Sequence, residues 1–135
     1  DLGIIPEEVF DLRKQFNLRG MAILQFGFGE DYQKSPHHPH NINAMQVVYT
    51  GTHDNDTILG WWASTDETTK SNVIAMTGQT DDIAGSIIEL AKNSRSYLCI
   101  VPLQDILRLD SCGRMNVPGV EKGNWLWRFD WNDLN

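Results

Sequence analysis

Basic side chains are scarce: 11 Lys and Arg face 18 Asp and Glu across 135 residues, a formal net charge of −7. The few cations form no stripe, so the surface that nucleic acid or an anionic membrane would need is missing. Cysteine is scarcer still. Cys99 lies in an apolar run and Cys112 in a loop-like stretch, without C-x-x-C spacing. This removes the cysteine-based metal motifs and fits a reducing, cytoplasmic compartment. No apolar run approaches the roughly 18–20 residues of a membrane span. The opening Asp-Leu-Gly carries neither a basic n-region nor an initiator Met, so no signal peptide is read and a processed or excised piece is expected. Internal repeats and low-complexity tracts are also lacking.

What is present is the composition of a folded domain. At 41% hydrophobic and 21% charged, the chain has enough apolar side chains for one core and too few charges for disorder. Residues 1–5 read as the tail of a strand and its loop. Pro6-Glu7-Glu8 reads as a helix start, with Val9, Leu12 and Phe16 as one apolar stripe and Asn17 and Gly20 at its close. Three strands are expected at 21–26, 47–49 and 96–101. Their near-continuous apolar character fits strands covered on both faces of a parallel sheet. Helices are expected from Asp66 to about Met76 and from Thr80 to Lys92, and a short helical turn at 103–107. Helices alternating with strands give an α/β chain with right-handed crossovers. Three strands are too few for a whole β/α barrel, which needs eight strands and roughly 250 residues.

The densest chemistry lies at residues 47–62, V-V-Y-T-G-T-H-D-N-D-T-I-L-G-W-W. A strand that stops at Gly51 and opens into Thr52, His53, Asp54, Asn55, Asp56 and Thr57 has the form of a site at a strand's carboxyl end. It also has the form of a plain strand–turn–helix link in which Asn55, Asp56 or Thr57 caps a helix. Both readings stand on this stretch alone. The loop at 27–43 holds His37, His38 and His40 with prolines interleaved. Their spacing gives no helical i, i+4 pair and no companion cysteine, so no metal or cofactor is expected and rim or ligand-contacting histidines are the reading. Trp125, Trp127, Phe129 and Trp131 form an i, i+2 row. It reads as a strand packing an aromatic face on a core, with a sugar-stacking platform as the competing reading.

Taken together, Asp1-Leu2-Gly3, Gly20-Met21, Leu24-Gln25-Phe26, Pro39-His40-Asn41, T-G-T-H-D-N-D-T at 50–57, Pro102-Leu103-Gln104-Asp105, Arg114-Met115-Asn116, Gly123-Asn124-Trp125 and Trp127-Arg128 resemble the 4-α-glucanotransferases, the amylomaltases or disproportionating enzymes of glycoside hydrolase family 77. The resemblance spans nearly the whole chain, so residues 1–135 are read as one segment. It implies the C-terminal part of a (β/α)8 TIM barrel, incomplete on its own, with 21–26, 47–50 and 97–101 as strands six, seven and eight. It implies transfer of α-1,4-glucan segments between glucans and maltooligosaccharides by a retaining double displacement. Asp54 would be the carboxylate that grips hydroxyls of the reacting glucose and favours its oxocarbenium-like form. His53 would be the adjacent hydroxyl-binding imidazole, and Phe26 and Asn116 would line the sugar groove.

The family's nucleophile follows strand four, and its acid/base glutamate immediately precedes the Asp-Leu-Gly motif. Neither is matched here, and Asp56 and Asp105 do not match those roles. The chain by itself is therefore expected to turn over no glucan and to need the rest of the barrel as partner. No metal, cofactor, nucleic acid or membrane is implied. Residence is read as cytoplasmic, or plastid for a plant or algal source. The readings that compete are an α-amylase-like hydrolase and a non-catalytic glucan-binding or structural piece. Unpaired strand edges and uncovered apolar faces are expected to make the isolated chain associate or dissolve poorly.

Overall fold

The computed structural model describes residues 5–78 and 81–134. The expectations for residues 1–4 and for Thr80 lie outside them. Strands β1 (Gly20–Ile23), β2 (Gln46–Tyr49) and β3 (Leu98–Ile100) form one parallel sheet in that order. Ala22 sits beside Val48 and Val48 beside Cys99; Met21, Val47 and Leu98 form the neighbouring row, and Ile23, Tyr49 and Ile100 the next.

The helices follow their sequence signals. Helix α1 (Glu7–Gln15) has acids in its first turn and Arg13 and Lys14 in its last, matching the macrodipole. Helix α2 (Ile58–Ser64) starts at Thr57, whose hydroxyl accepts from Gly60 N at 3.1 Å. Helix α3 (Glu67–Thr77) is capped by Asp66, which accepts from Thr69 N at 2.9 Å, and ends at Gly78 in the left-handed region (φ 72°), where a glycine avoids the Cβ penalty. Helix α4 (Ile83–Lys92) is capped by Asp82 through Gly85 N, and α5 (Leu103–Ile106) is the short turn after β3. Helix α2 was expected only through the cap reading of Asn55, Asp56 or Thr57, with no bounds of its own. Seven residues containing Gly60 and two tryptophans are too short to display a helical period.

The core lies between one sheet face and the helices. Ala22 and Val48 pack there with Ile58, Val73, Ile83, Ala84, Ile87 and Ala91, and Phe28 and Ile42 close it from the loop before β2. The opposite face is largely open: Met21 is 42% exposed, Leu98 49% and Ile100 39%, although Ile23 on the same side is buried. This is the uncovered apolar face expected of the isolated chain. Alternate residues of these strands are apolar on both sides, and the described residues cover one side and, on the other, only Ile23. Helix α1 repeats the pattern: its stripe forms, yet Val9, Leu12 and Phe16 are all exposed.

Two other expectations change. The run at 21–26 leaves the strand after Ile23 and closes a 3-10 turn at Leu24–Phe26, with Gly27 N donating to Leu24 O at 2.8 Å. At Gly27 an added Cβ would meet the His37 carbonyl oxygen at 2.6 Å, so the close approach of these loop arms requires glycine. The aromatic row forms no strand. Residues 114–130 are irregular, Trp125 has φ 63°, and Trp131 is 79% exposed. The left-handed backbone at Trp125 and the 3-10 turn from Trp131 break any period-2 pairing.

One buried carboxylate ties the end of β2 to α2 and α5. Asp105 is 2% exposed; its Oδ2 accepts from Thr50 Oγ1 at 2.7 Å and its Oδ1 from Ile58 N at 2.8 Å. Burial pushes its pKa up, with Asp56 adding to the rise, while the two donors pull it down. Asp105→Ala strands a hydroxyl and an amide in the core and should cost about 3 kcal/mol. Asp105→Asn can still accept from Ile58 and donate to the Thr50 oxygen, and should cost about 1 kcal/mol or less. Urea denaturation measures both; equal losses would contradict the link. Because the folded chain holds this proton more tightly than the unfolded chain, its contribution is full below the ordinary aspartate pKa and fades as pH rises through the raised value. Asp105→Asn should flatten stability against pH in that window. Separately, Leu98→Glu on the open face should raise the monomer fraction in sedimentation without altering the circular dichroism.

Candidate active site

The carboxyl end of β2 carries the polar turn. Thr50 is buried, and Gly51 passes so close to Gln25 that a Cβ would lie 2.8 Å from its Nε2. The Asn55 side chain then closes the turn: its Oδ1 accepts from Thr52 N at 2.9 Å and Thr52 Oγ1 at 2.8 Å, an Asx-type closure. Gln25 Nε2 donates to Asp56 O at 2.8 Å from the β1 side. Asp56 accepts from Thr57 N at 2.8 Å and from Ser111 Oγ at 2.7 Å. Asn55, Asp56 and Thr57 thus hold the turn and start α2, which leaves His53 and Asp54 projecting.

A second segment, far along the chain, meets those two residues. Asn116 Nδ2 donates to Asp54 Oδ1 at 2.6 Å, and His53 Nε2 lies 3.4 Å from the same oxygen. Arg114 Nη2 donates to Asp54 O at 2.7 Å, and Arg114 Nε donates to Asn116 O at 2.9 Å. Trp125 N donates to Met115 O at 2.7 Å, and its indole lies 5.1 Å from the His53 ring. Among the described residues no group donates to Asp54 Oδ2. The His53 and Asp54 side chains remain 59% and 43% exposed, so a solute can reach both. A cavity of about 200 Å³ opens beside them, walled by His53, Asp56, Gln104, Arg114 and Trp125 among others. Asp54 is not one of its walls. The larger cavity, between α3, α4 and the turn after α5, is remote from this chemistry and contains the Asp82–Arg108 ion pair.

Of the four residues singled out in the sequence, His53, Asp54 and Asn116 come together. Phe26 does not join them by any direct contact. It stands 38% exposed after β1, edge-on to His37 with ring centroids 5.7 Å apart. The rim reading is corrected for His37 and His38, which pack inward, while His40 stays exposed. His37 Nδ1 accepts from Ile23 N at 3.1 Å, and His38 is 4% exposed among Phe28, Tyr32 and His40. Burial lowers both pKa values, with His40 adding to the effect at His38, which favours neutral, packed imidazoles. Among the described residues no three His, Cys, Asp or Glu side chains are grouped to hold a metal. Arg114 and Trp125 were not singled out as site residues. The alternation of Arg114 and Asn116 about Met115 was the available signal, since in extended chain it turns both toward one side.

The comparisons with known proteins bear on the family of the chain. The family model for 4-alpha-glucanotransferase, glycoside hydrolase family 77, matches residues 1–133. The chain is 49% identical over 130 residues to the chloroplastic/amyloplastic 4-alpha-glucanotransferase of Solanum tuberosum, covering 95% of this chain and 22% of that protein. It is 47% identical over 138 residues to the 4-alpha-glucanotransferase of Synechocystis, covering 100% and 27%. The amylomaltase of Streptococcus agalactiae in complex with acarbose superposes with a TM-score of 0.94 at 31% identity, covering 100% of this chain and 28% of that one. The chain therefore spans about a quarter of the length of these relatives. With a parallel α/β sheet like that of amylomaltase and a family match along nearly all its length, this chain belongs to the 4-alpha-glucanotransferase family, glycoside hydrolase family 77.

Proposed function

We propose that residues 1–135 are one segment from the C-terminal part of a (β/α)8 glucanotransferase barrel, with β1, β2 and β3 as strands six, seven and eight. In that barrel Asp54 is the carboxylate that stabilises the transition state of α-1,4-glucan transfer. The observation that carries this reading is the Asp54 carboxylate at the end of the middle strand, held on one oxygen by Asn116 and His53 with the other oxygen free to accept. A carboxylate so fixed accepts hydrogen bonds from neighbouring sugar hydroxyls. These tighten as positive charge develops on the glucose ring, so the gain falls on the transition state rather than on binding. His53 donates to a further hydroxyl, and Asn116 keeps Asp54 in one rotamer. Phe26 contributes an apolar wall from the neighbouring strand end. The acarbose bound to the Streptococcus agalactiae amylomaltase supports an oligosaccharide as the ligand class.

The nucleophile and acid/base of a retaining mechanism stand about 5 Å apart. In this reading both come from the rest of the barrel, which also covers the open sheet face and α1. The chain alone is then inactive, and the remaining barrel is its first partner. In the full-length protein, Asp54→Asn should lower transfer from maltotriose about 10²–10³-fold with the melting temperature nearly unchanged. Glucose release near the parent rate would sink the assignment. The products of the parent separate transfer from hydrolysis: a ladder of longer glucans marks the transferase, and a net gain of reducing ends marks a hydrolase.

A further inference from the structure

We propose that Arg114 is a positioning residue, which holds Asp54 and Asn116 in register through their main-chain carbonyls; this rests on the function proposed for Asp54. The Asp54–Asn116 contact joins residues 62 apart in sequence, on two irregular segments. Neither the Asp54 carbonyl nor the Asn116 carbonyl is taken up by a strand or helix, and each accepts from one arm of the same guanidinium, at 2.7 and 2.9 Å. The third arm, Nη1, lies 4.0 Å from Asp56 Oδ2. Asp56 is itself anchored by Thr57 N and Ser111 Oγ. Among the described residues, the Arg114 and Asn116 side chains make the only hydrogen bonds between residues 114–125 and the turn at 52–57.

A planar guanidinium with fixed donor directions can set the distance between two carbonyls, which a lysine ammonium on a flexible stem cannot. The same segment carries Trp125 against His53. Arg114 therefore sets both the Asp54 carboxylate and the ring beside it, through two hydrogen bonds to main-chain carbonyls and an ion-pair contact with Asp56. It acts through Asp54, and its loss should appear in the chemical step.

The test uses the full-length protein with maltotriose as donor and acceptor. Arg114→Ala should lower kcat about a hundredfold while KM moves little, since a misplacement of about 1 Å suffices for that loss. Added guanidinium ion should restore at least about tenfold of that loss, and should do nothing for Asp54→Asn. Arg114→Lys should remain well below the parent. A folded Arg114→Ala with near-parent kcat, or one whose loss guanidinium does not repair, overturns the proposal. If Arg114→Ala gives no cooperative melt, Arg114→Lys decides it: a kcat near the parent's overturns it, and a low kcat with unchanged KM and melting temperature supports it. Failure of the underlying functional reading looks different, because the parent itself would then form no longer glucans.

Discussion

The Asp105 carboxylate is the constraint on which the turn at 52–57 depends. A carboxylate taken out of water is costly unless its oxygens are satisfied. Here one oxygen takes the Thr50 hydroxyl at the end of β2 and the other takes the first amide of α2. The strand end, the helix start and the turn after β3 are thereby pinned to one point. His53, Asp54 and Asn55 span the interval between those two pinned positions. The chain's freedom between Thr50 and Ile58 is small, and Asn55 and Asp56 consume most of what remains. Two residues can then project outward in a fixed direction.

The sheet has a matching asymmetry. Its helix-facing side is a packed core, and its other side leaves Met21, Leu98 and Ile100 half in water. Apolar area of this kind is what proteins ordinarily bury against further elements. The placement of the site follows from the same geometry. Parallel strands bring their carboxyl ends to one edge, so the Phe26 turn, the Asp54 turn and the Pro102–Asp105 turn all rise from that edge. Residues from distant stretches of chain thus share one surface, and the irregular 114–125 segment folds across it.

Much of the architecture was readable in residue order. Acid-capped helix starts at Asp66 and Asp82, the glycine stop at Gly78 and the apolar runs of β2 and β3 are local signals, and local physics produced them. The bounds of helix α2 escaped because it is short, and the bend at Leu24 escaped because the run 21–26 is apolar throughout and hides where pairing ends. The histidine loop misled for a related reason. His38 is polar in sequence, but aromatic neighbours from separate turns bury it. The aromatic row failed because side-chain alternation was read without the backbone breaks inside it, at Trp125 in the left-handed region and at the 3-10 turn from Trp131.

Of the two readings of residues 47–62, the helix-cap reading is seen directly, and it does not use the His53 and Asp54 side chains. Thr57 does cap α2, while His53 and Asp54 are left for other work. The sequence by itself determined the α/β class, the parallel order of strands and helices, the family, and the candidates Asp54, His53 and Asn116. The class and the element order live in period and capping residues, which are short-range along the chain, whereas the family and those three candidates rest on the resemblance of motifs spread from residue 1 to residue 128. Only the tertiary structure decided that Asn116 meets Asp54, that Arg114 spans both, that Asp105 is buried beneath the turn, and that Phe26 stands apart. Each of these depends on a loop-borne distance between residues far apart in sequence. Such distances are set by how strand ends converge and by which buried polar groups must be satisfied, and no local pattern encodes them.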